Sequence, residues 1–100
     1  MSGEDVKLRL SEHAKEKVRI RKITLEAIRD VLRSPSHRFY DIINYTEVTV
    51  KEVDLYGERI GLVVVFTREN DVYHIVTLYP SRQFMEEIRR KVKSGRWISI

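Results

Sequence analysis

Cysteine is absent from this 100-residue sequence, and proline occurs only twice. The lack of cysteine excludes disulfide bonds, thiolate metal sites and cysteine nucleophiles. A zinc site would need histidine and carboxylate ligands, and the three histidines do not show the His-x-x-x-His spacing of such a site. We therefore expect neither a bound metal nor a cofactor.

Long apolar runs are also missing, since none approaches the ~18 residues that a membrane-spanning helix needs. Residues 1–5 are polar and acidic and do not contain the apolar centre of a signal peptide. The length leaves room for one hydrophobic core. We expect a single cytoplasmic domain over residues 1–100, without a membrane association.

The chain carries 19 basic and 15 acidic residues, for a net charge of +4. Residues 1–22 hold seven basic residues against four acidic ones, and residues 81–97 hold six against two. The stretch 40–58 has five acidic residues and one lysine. Basic ends around an acidic middle favour a polyanionic partner, although lysine and arginine also simply keep a domain soluble.

The longest apolar run, residues 61–66 (Gly-Leu-Val-Val-Val-Phe), is dominated by β-branched residues. It predicts a buried strand at the centre of a sheet. Further strands are predicted over residues 37–45, 46–55 and 72–79, with a hairpin turn at 69–71. A slip in the apolar phase between Val50 and Val53 predicts a β-bulge near residues 51–52.

Helix signals stand at both ends of the chain. Ser11 and Thr24 are typical N-caps and predict two helices, the second of which ends before Pro35. A third helix is predicted over residues 82–93, with Gly95 after its end. Residues 6–10 are predicted as an edge strand or an extended lead, and residues 96–100 as a short strand or a segment that packs Trp97.

This order predicts an α+β domain with two N-terminal helices, a three- to four-stranded antiparallel sheet and a C-terminal helix. The helices are expected to cover one face of the sheet. In the first helix, His13, Lys17 and Arg21 are four residues apart, and this row is expected to lie beside the buried edge of the helix.

The motif His13-Ala14-x-x-Lys17-x-x-x-Arg21-x-Ile23-Thr24 resembles the opening of a family of small domains grouped with the RelE/ParE-like toxins. The wider group has the barnase–colicin-type ribonuclease fold. The resemblance extends to Ile75-Val76-Thr77-Leu78-Tyr79, and it covers about residues 8 to 80. Lys17 departs from the family pattern, which usually has arginine there, and lysine cannot grip a phosphate with two parallel hydrogen bonds.

The resemblance implies metal-independent RNA cleavage, in which a 2′-hydroxyl attacks the adjacent phosphate. Such a site needs a base, an acid and cations. His13, Lys17 and Arg21 would supply these groups, with His74 as a further catalytic candidate from the sheet. The resemblance also implies the toxin half of a toxin–antitoxin pair, whose partner would be an acidic, partly disordered antitoxin.

Further candidates for RNA contact come from the residue types themselves. Arg68 could bind phosphate and Tyr79 could stack on a base. Arg82, Arg89 and Arg96 recur every seven residues and would form a phosphate track along one face of the last helix.

Other interpretations stay open. The histidines could be ordinary hydrogen-bonded residues, and the cations could be solvated surface positions. The chain could also be a non-catalytic nucleic-acid-binding module. A third hypothesis is a homodimeric structural or adaptor domain that pairs through an exposed edge strand at residues 6–10 or 98–100.

Overall fold

A computed structural model describes residues 6–100, so the first five residues, with their expected lack of a signal peptide, lie outside the described part. The described chain has an α+β fold with six strands and three helices. The elements in chain order are β1 (Lys7–Leu10), α1 (Glu12–Arg21), α2 (Leu25–Arg33), β2 (His37–Asp41), β3 (Thr46–Leu55), β4 (Glu58–Glu69), β5 (Val72–Ser81), α3 (Phe84–Lys93) and β6 (Trp97–Ser99).

All six strands form one sheet in the order β1-β5-β4-β3-β2-β6. Strand β1 pairs with β5 in parallel, and the other neighbours are antiparallel. The predicted three to four antiparallel strands were therefore too few, and the sheet is mixed. The two end segments, which the sequence left open between strand and other structure, are strands at the two edges of the sheet.

The central strand β4 buries both faces, as its apolar run predicted. Leu62, Val64 and Phe66 point to one face of the sheet, which we call the first face. Val63 and Val65 alternate with them and point to the second face. Since each face carries its own apolar cluster, each needs a cover of its own.

Helices α1 and α2 cover the first face and begin at the two predicted N-caps. The Ser11 hydroxyl accepts a hydrogen bond from the Ala14 amide, and the Thr24 hydroxyl accepts one from the Ala27 amide. The buried residues of this core come from both helices, the connection between them and three strands: Ala14, Ile23, Ile28, Val31, Leu32, Val53, Leu55, Ile60, Leu62, Val64, Phe66, Ile75 and Leu78.

Helix α3 lies on the second face, so the expectation that all helices share one face was wrong. Ile88 is buried against the second-face cluster, and Phe84 packs directly over Gly61. A Cβ atom at residue 61 would lie 2.5 Å from a ring carbon of Phe84. Glycine is therefore required there for the close approach of the helix to the sheet. The helix begins at Phe84, two residues later than predicted.

The predicted β-bulge near residues 51–52 is also wrong, because the pairing of β3 with β4 runs without a shift from Glu47 to Leu55. The change of apolar phase has another cause: Val48 and Val50 face the second cluster, whereas Val53 and Leu55 face the first. The register shift lies instead between β4 and β5, where Val76 is the extra residue.

Candidate functional site

The second face is only partly covered, and two adjoining hollows lie on its open part. The central hollow, about 520 Å³, is bordered by α3, β6 and the sheet, and the edge hollow, about 300 Å³, lies where β1 meets β5. The bulged residue Val76 lines both hollows. The central hollow is defined here by Asp41, Thr46, Tyr79, Lys91, Arg96 and Trp97, and the edge hollow by Arg9, Ser11 and His74.

A buried carboxylate, Asp41, fixes one wall of the central hollow. One Asp41 oxygen, Oδ1, accepts hydrogen bonds from the backbone amides of Ile43 at 2.9 Å and Asn44 at 3.1 Å. The other, Oδ2, accepts one from Nε of Arg96 at 3.3 Å. Burial raises the pKa of Asp41, but the two amides and the Arg96 guanidinium outweigh it, so that the pKa lies below its usual value. Arg96 is thereby held beside the hollow.

Tyr79 forms another wall of the central hollow, and its hydroxyl is engaged in a hydrogen bond with Glu87. The phenol donates a hydrogen bond to Oε2 of Glu87 at 2.6 Å. Burial, followed by this bond to a carboxylate, raises the pKa of Tyr79 well above its usual value. The phenol therefore stays protonated, and its proton is already engaged by Glu87.

Two buried polar atoms beside the central hollow have no hydrogen-bond partner: Oγ1 of Thr46 and Nε1 of Trp97. The Trp97 ring packs against Phe39 with 5.3 Å between ring centroids, and Lys91 Nζ lies 4.7 Å from the Trp97 ring centre. These contacts position the ring, while its N–H donates no hydrogen bond.

The edge hollow contains His74, which is one-third exposed. Nε2 of His74 lies 3.6 Å from Oε1 of Glu69. Arg9 is the register partner of His74 in the parallel pair of β1 and β5, so the two side chains share the second face. An imidazole, a carboxylate and a guanidinium therefore meet at this edge of the sheet.

The hydroxyl of Ser11 ties the start of α1 to the bulge. It donates a hydrogen bond to the carbonyl oxygen of Val76 at 2.8 Å while accepting one from the Ala14 amide at 3.0 Å. The same side chain thus caps the helix and anchors the irregular part of β5 that separates the two hollows.

The predicted row on α1 does not join either hollow. His13 and Arg21 are exposed and Lys17 is half-buried, on a helix that packs against the first face through Ala14. His74 faces the opposite side of the sheet. The expectation that the α1 row and His74 form one site is therefore corrected: the sheet separates them.

The residues predicted to contact nucleic acid are spread over the molecule. Arg68 lies on the first face, 5.0 Å from the Tyr73 ring centre and 3.3 Å from a Glu47 oxygen. The seven-residue track along the last helix is wrong, because only Arg89 lies within α3, while Arg82 precedes it and Arg96 follows it.

Ion pairs hold these arginines in separate places. Arg82 pairs with Glu58 at 2.7 Å, and this hydrogen bond lowers the pKa of Glu58 and raises that of Arg82. Arg89 pairs with Glu86 at 2.9 Å on the outside of α3. Of the predicted residues, Tyr79 and Arg96 line the central hollow and His74 lines the edge hollow.

Sequence reasoning missed Asp41, Thr46 and Trp97 as site residues. A signal existed for one of them. Aspartate at the end of a strand and before a turn commonly caps the backbone amides that follow, as Asp41 does. The hydroxyl of Thr46 and the indole of Trp97 gave none, since their meeting depends on the pairing of β2 with β3 and β6.

Metal binding has no obvious place in the described chain. Residues 6–100 contain no group of three or more histidine and carboxylate side chains arranged to hold an ion.

None of the three helices in that range has the length and apolarity that a bilayer crossing requires.

No family model, no curated protein and no solved structure matched the chain. The resemblance to RelE/ParE-like toxins therefore stays a prediction from the motif that begins at His13.

Proposed function

We propose that the protein binds single-stranded RNA on the open part of the second face, across the central and edge hollows. The observation that carries this proposal is that an aromatic ring, a cation and an imidazole, from Tyr79, Arg96 and His74, line adjoining hollows of the partly covered second face. Proteins that bind single strands combine these features, since cations hold the backbone and rings stack on bases.

The charge of the two hollows supports an anionic ligand. Arg9, Lys91 and Arg96 line them with one carboxylate, Asp41, while Glu69 and Glu87 lie just outside the lining, 3.6 Å from His74 and 3.7 Å from Lys91. Arg96 pairs with Asp41 at 3.3 Å and Lys91 pairs with Glu87 at 3.7 Å, so Arg9 supplies the positive charge of the lining that these two pairs do not offset. Phosphate contacts to such cations make binding weaken steeply with salt.

The toxin-like role belongs to the same proposal and rests on the motif from His13 to Thr24. In that role an acidic antitoxin would cover the open face and exclude RNA. Complementary charge would speed its association and make it salt-dependent. An acidic peptide that competes with RNA for the protein would support this part of the proposal.

The test is a titration of a fluorescently labelled single-stranded RNA, read by anisotropy at several salt concentrations. Arg9→Gln is expected to weaken binding several-fold and to reduce the salt dependence by about one phosphate contact. Arg19→Gln is the matched control, because Arg19 is an exposed arginine of α1 that pairs with Glu16 at 2.6 Å. Equal losses in both variants would contradict the proposed surface.

RNA cleavage is a second candidate function, favoured by the pair of His74 and Glu69 beside Arg9. Glu69 would orient the imidazole, which would take the proton from a 2′-hydroxyl. Arg9 would stabilise the charge that develops on the phosphate oxygens. As the 2′-oxygen bonds to phosphorus, the P–O5′ bond breaks; no second imidazole lines either hollow, so water would protonate the departing 5′-oxygen while His74 holds the proton of the 2′-hydroxyl.

Cleavage is tested by incubating RNA with the protein in the presence of a metal chelator. The His74→Ala variant is expected to lose cleavage and to weaken RNA binding less than Arg9→Gln does, whereas His13→Ala is expected to keep both. Loss of cleavage in His13→Ala alone would place the chemistry on α1 and contradict the assignment to His74. Intact RNA with the wild-type protein would leave a binding function without cleavage.

A further inference from the structure

We propose that the central hollow is a pocket for one unstacked nucleobase, which Trp97 and Thr46 recognise by hydrogen bonds. This inference rests on the proposed RNA binding and adds the part of the ligand that enters the hollow. Its basis is the pair of unpartnered polar atoms at the hollow, together with the position of the cations beside it.

Unpartnered buried polar atoms are rare in folded proteins, because each gives up its bonds to water without replacement. Trp97 is 3% exposed and Thr46 is 6% exposed, and both residues line the central hollow. Both atoms are themselves closed to water, so a ligand in the hollow reaches them when the two side chains turn toward it, and its bonds to them would remove that deficit. The two atoms therefore point to a polar ligand more directly than the shape of the hollow does.

The chemistry of these two atoms restricts the ligand. The indole Nε1 only donates, so the ligand must present an acceptor, and a threonine hydroxyl can either donate or accept. The carbonyl oxygen of a uracil, cytosine or guanine ring is an acceptor of this kind. Val48, Val65 and Tyr79 supply apolar and aromatic walls for the flat ring.

The position of the charged side chains indicates which part of a nucleotide would occupy the interior of the hollow, the base or the phosphate. The unpartnered donors are neutral and buried, whereas the side chains of Lys91 and Arg96 are 24% and 37% exposed. A neutral ring would occupy the interior, and the attached phosphate would stay near the two cations in contact with water. A phosphate alone would leave the indole and hydroxyl without a specific role.

The test uses two isosteric substitutions on one strand. Thr46→Val removes the unpartnered hydroxyl, and we expect the unfolding midpoint to stay unchanged or to rise, because no hydrogen bond is lost. Thr49→Val is the matched control. Thr49 is buried on the first face and donates a hydrogen bond to the Val64 carbonyl oxygen at 3.3 Å, so its substitution is expected to lower the midpoint.

Binding is measured with uridine 5′-monophosphate and with ribose 5-phosphate, by calorimetry and by the fluorescence of Trp97, the single tryptophan. We expect the wild-type protein to prefer the nucleotide over the sugar phosphate. Thr46→Val should weaken nucleotide binding about five- to tenfold, as the loss of one hydrogen bond does. Thr49→Val should bind the nucleotide like the wild type.

Three results would overturn the base pocket: equal binding of the two probes, no binding of either, or nucleotide binding that Thr46→Val leaves unchanged. RNA binding that persists in any of these cases keeps the proposed function and removes only the pocket. Base-dependent nucleotide binding without RNA binding supports the pocket and contradicts the RNA function. The two proposals can therefore fail separately.

Discussion

The two faces of the sheet differ in how completely they are covered. On the first face, α1 and α2 cover a core of thirteen buried residues. On the second, α3 covers a smaller cluster of six buried residues and leaves two hollows beside it. One side of the same strands is therefore devoted to stability, whereas the other keeps open hollows and, beside them, buried polar atoms without hydrogen-bond partners.

The largest effect on the free energy of unfolding is expected from a substitution in the first-face core. Leu62→Ala should lower the free energy of unfolding by about 2–5 kcal/mol, because Leu62 is fully buried and its removal leaves a cavity. Val65→Ala, on the partly covered second face, should cost less, since Val65 borders a hollow that water already reaches. Urea unfolding of both variants checks this. A larger loss of unfolding free energy from Val65→Ala than from Leu62→Ala would contradict the view that the first-face core contributes more to stability.

The docking of α3 on the second face is tested by Gly61→Ala. The added methyl group would lie against Phe84 and push the helix from the sheet, so we expect a loss of about 1–3 kcal/mol. Gly95→Ala is not a suitable control, because the φ of +81° at Gly95 disfavours any side chain. Combining Gly61→Ala with Phe84→Ala should recover part of the loss, as measured by chemical unfolding. No loss in the single variant would contradict the close contact.

The buried carboxylate of the second face should make stability depend on pH. Its folded pKa is lower than its unfolded pKa, so its contribution is complete above the unfolded value and disappears as the pH falls through the folded one. Asp41→Asn should cost about 1–2 kcal/mol at neutral pH by weakening the bond to Arg96. The difference from wild type should shrink below pH ~4. A difference that stays constant down to pH ~2 would contradict an ionised Asp41.

The smallest effect on the free energy of unfolding is expected from the loss of an exposed ion pair on α1. Arg19→Ala removes the contact with Glu16, and both side chains are more than half exposed. Such pairs contribute little, so the free energy of unfolding should change by less than about 0.5 kcal/mol. A loss as large as that of Asp41→Asn would show that surface charge, and not the buried network of the second face, stabilises the fold.

Local signals in the sequence predicted much of the fold. The caps at Ser11 and Thr24, the stop before Pro35 and the central strand with buried residues 62–64 and 66 each depend on a few neighbouring residues, and the structure confirms them. The parallel pairing of β1 with β5 could not be predicted in the same way, because it joins residues more than sixty positions apart.

The site was harder to predict than the fold, because its residues meet only through long-range pairing. The spacing of Phe84 and Ile88 indicates an apolar helix face, but it does not tell which side of the sheet the helix covers. Once α3 lies on the second face, Arg96 reaches Asp41 and Trp97 reaches the central hollow. His74 and Tyr79 were found as candidates, whereas the grouping of His74 with His13 was wrong.

The most direct test of the proposed surface is a nuclear magnetic resonance titration of the labelled protein with single-stranded RNA. We predict that the largest shifts occur at Thr67, Val76 and Thr77 and at the indole N–H of Trp97, because these four residues line the central hollow. Shifts confined to α1, around Lys17 and Arg21, with an unchanged indole signal, would contradict it.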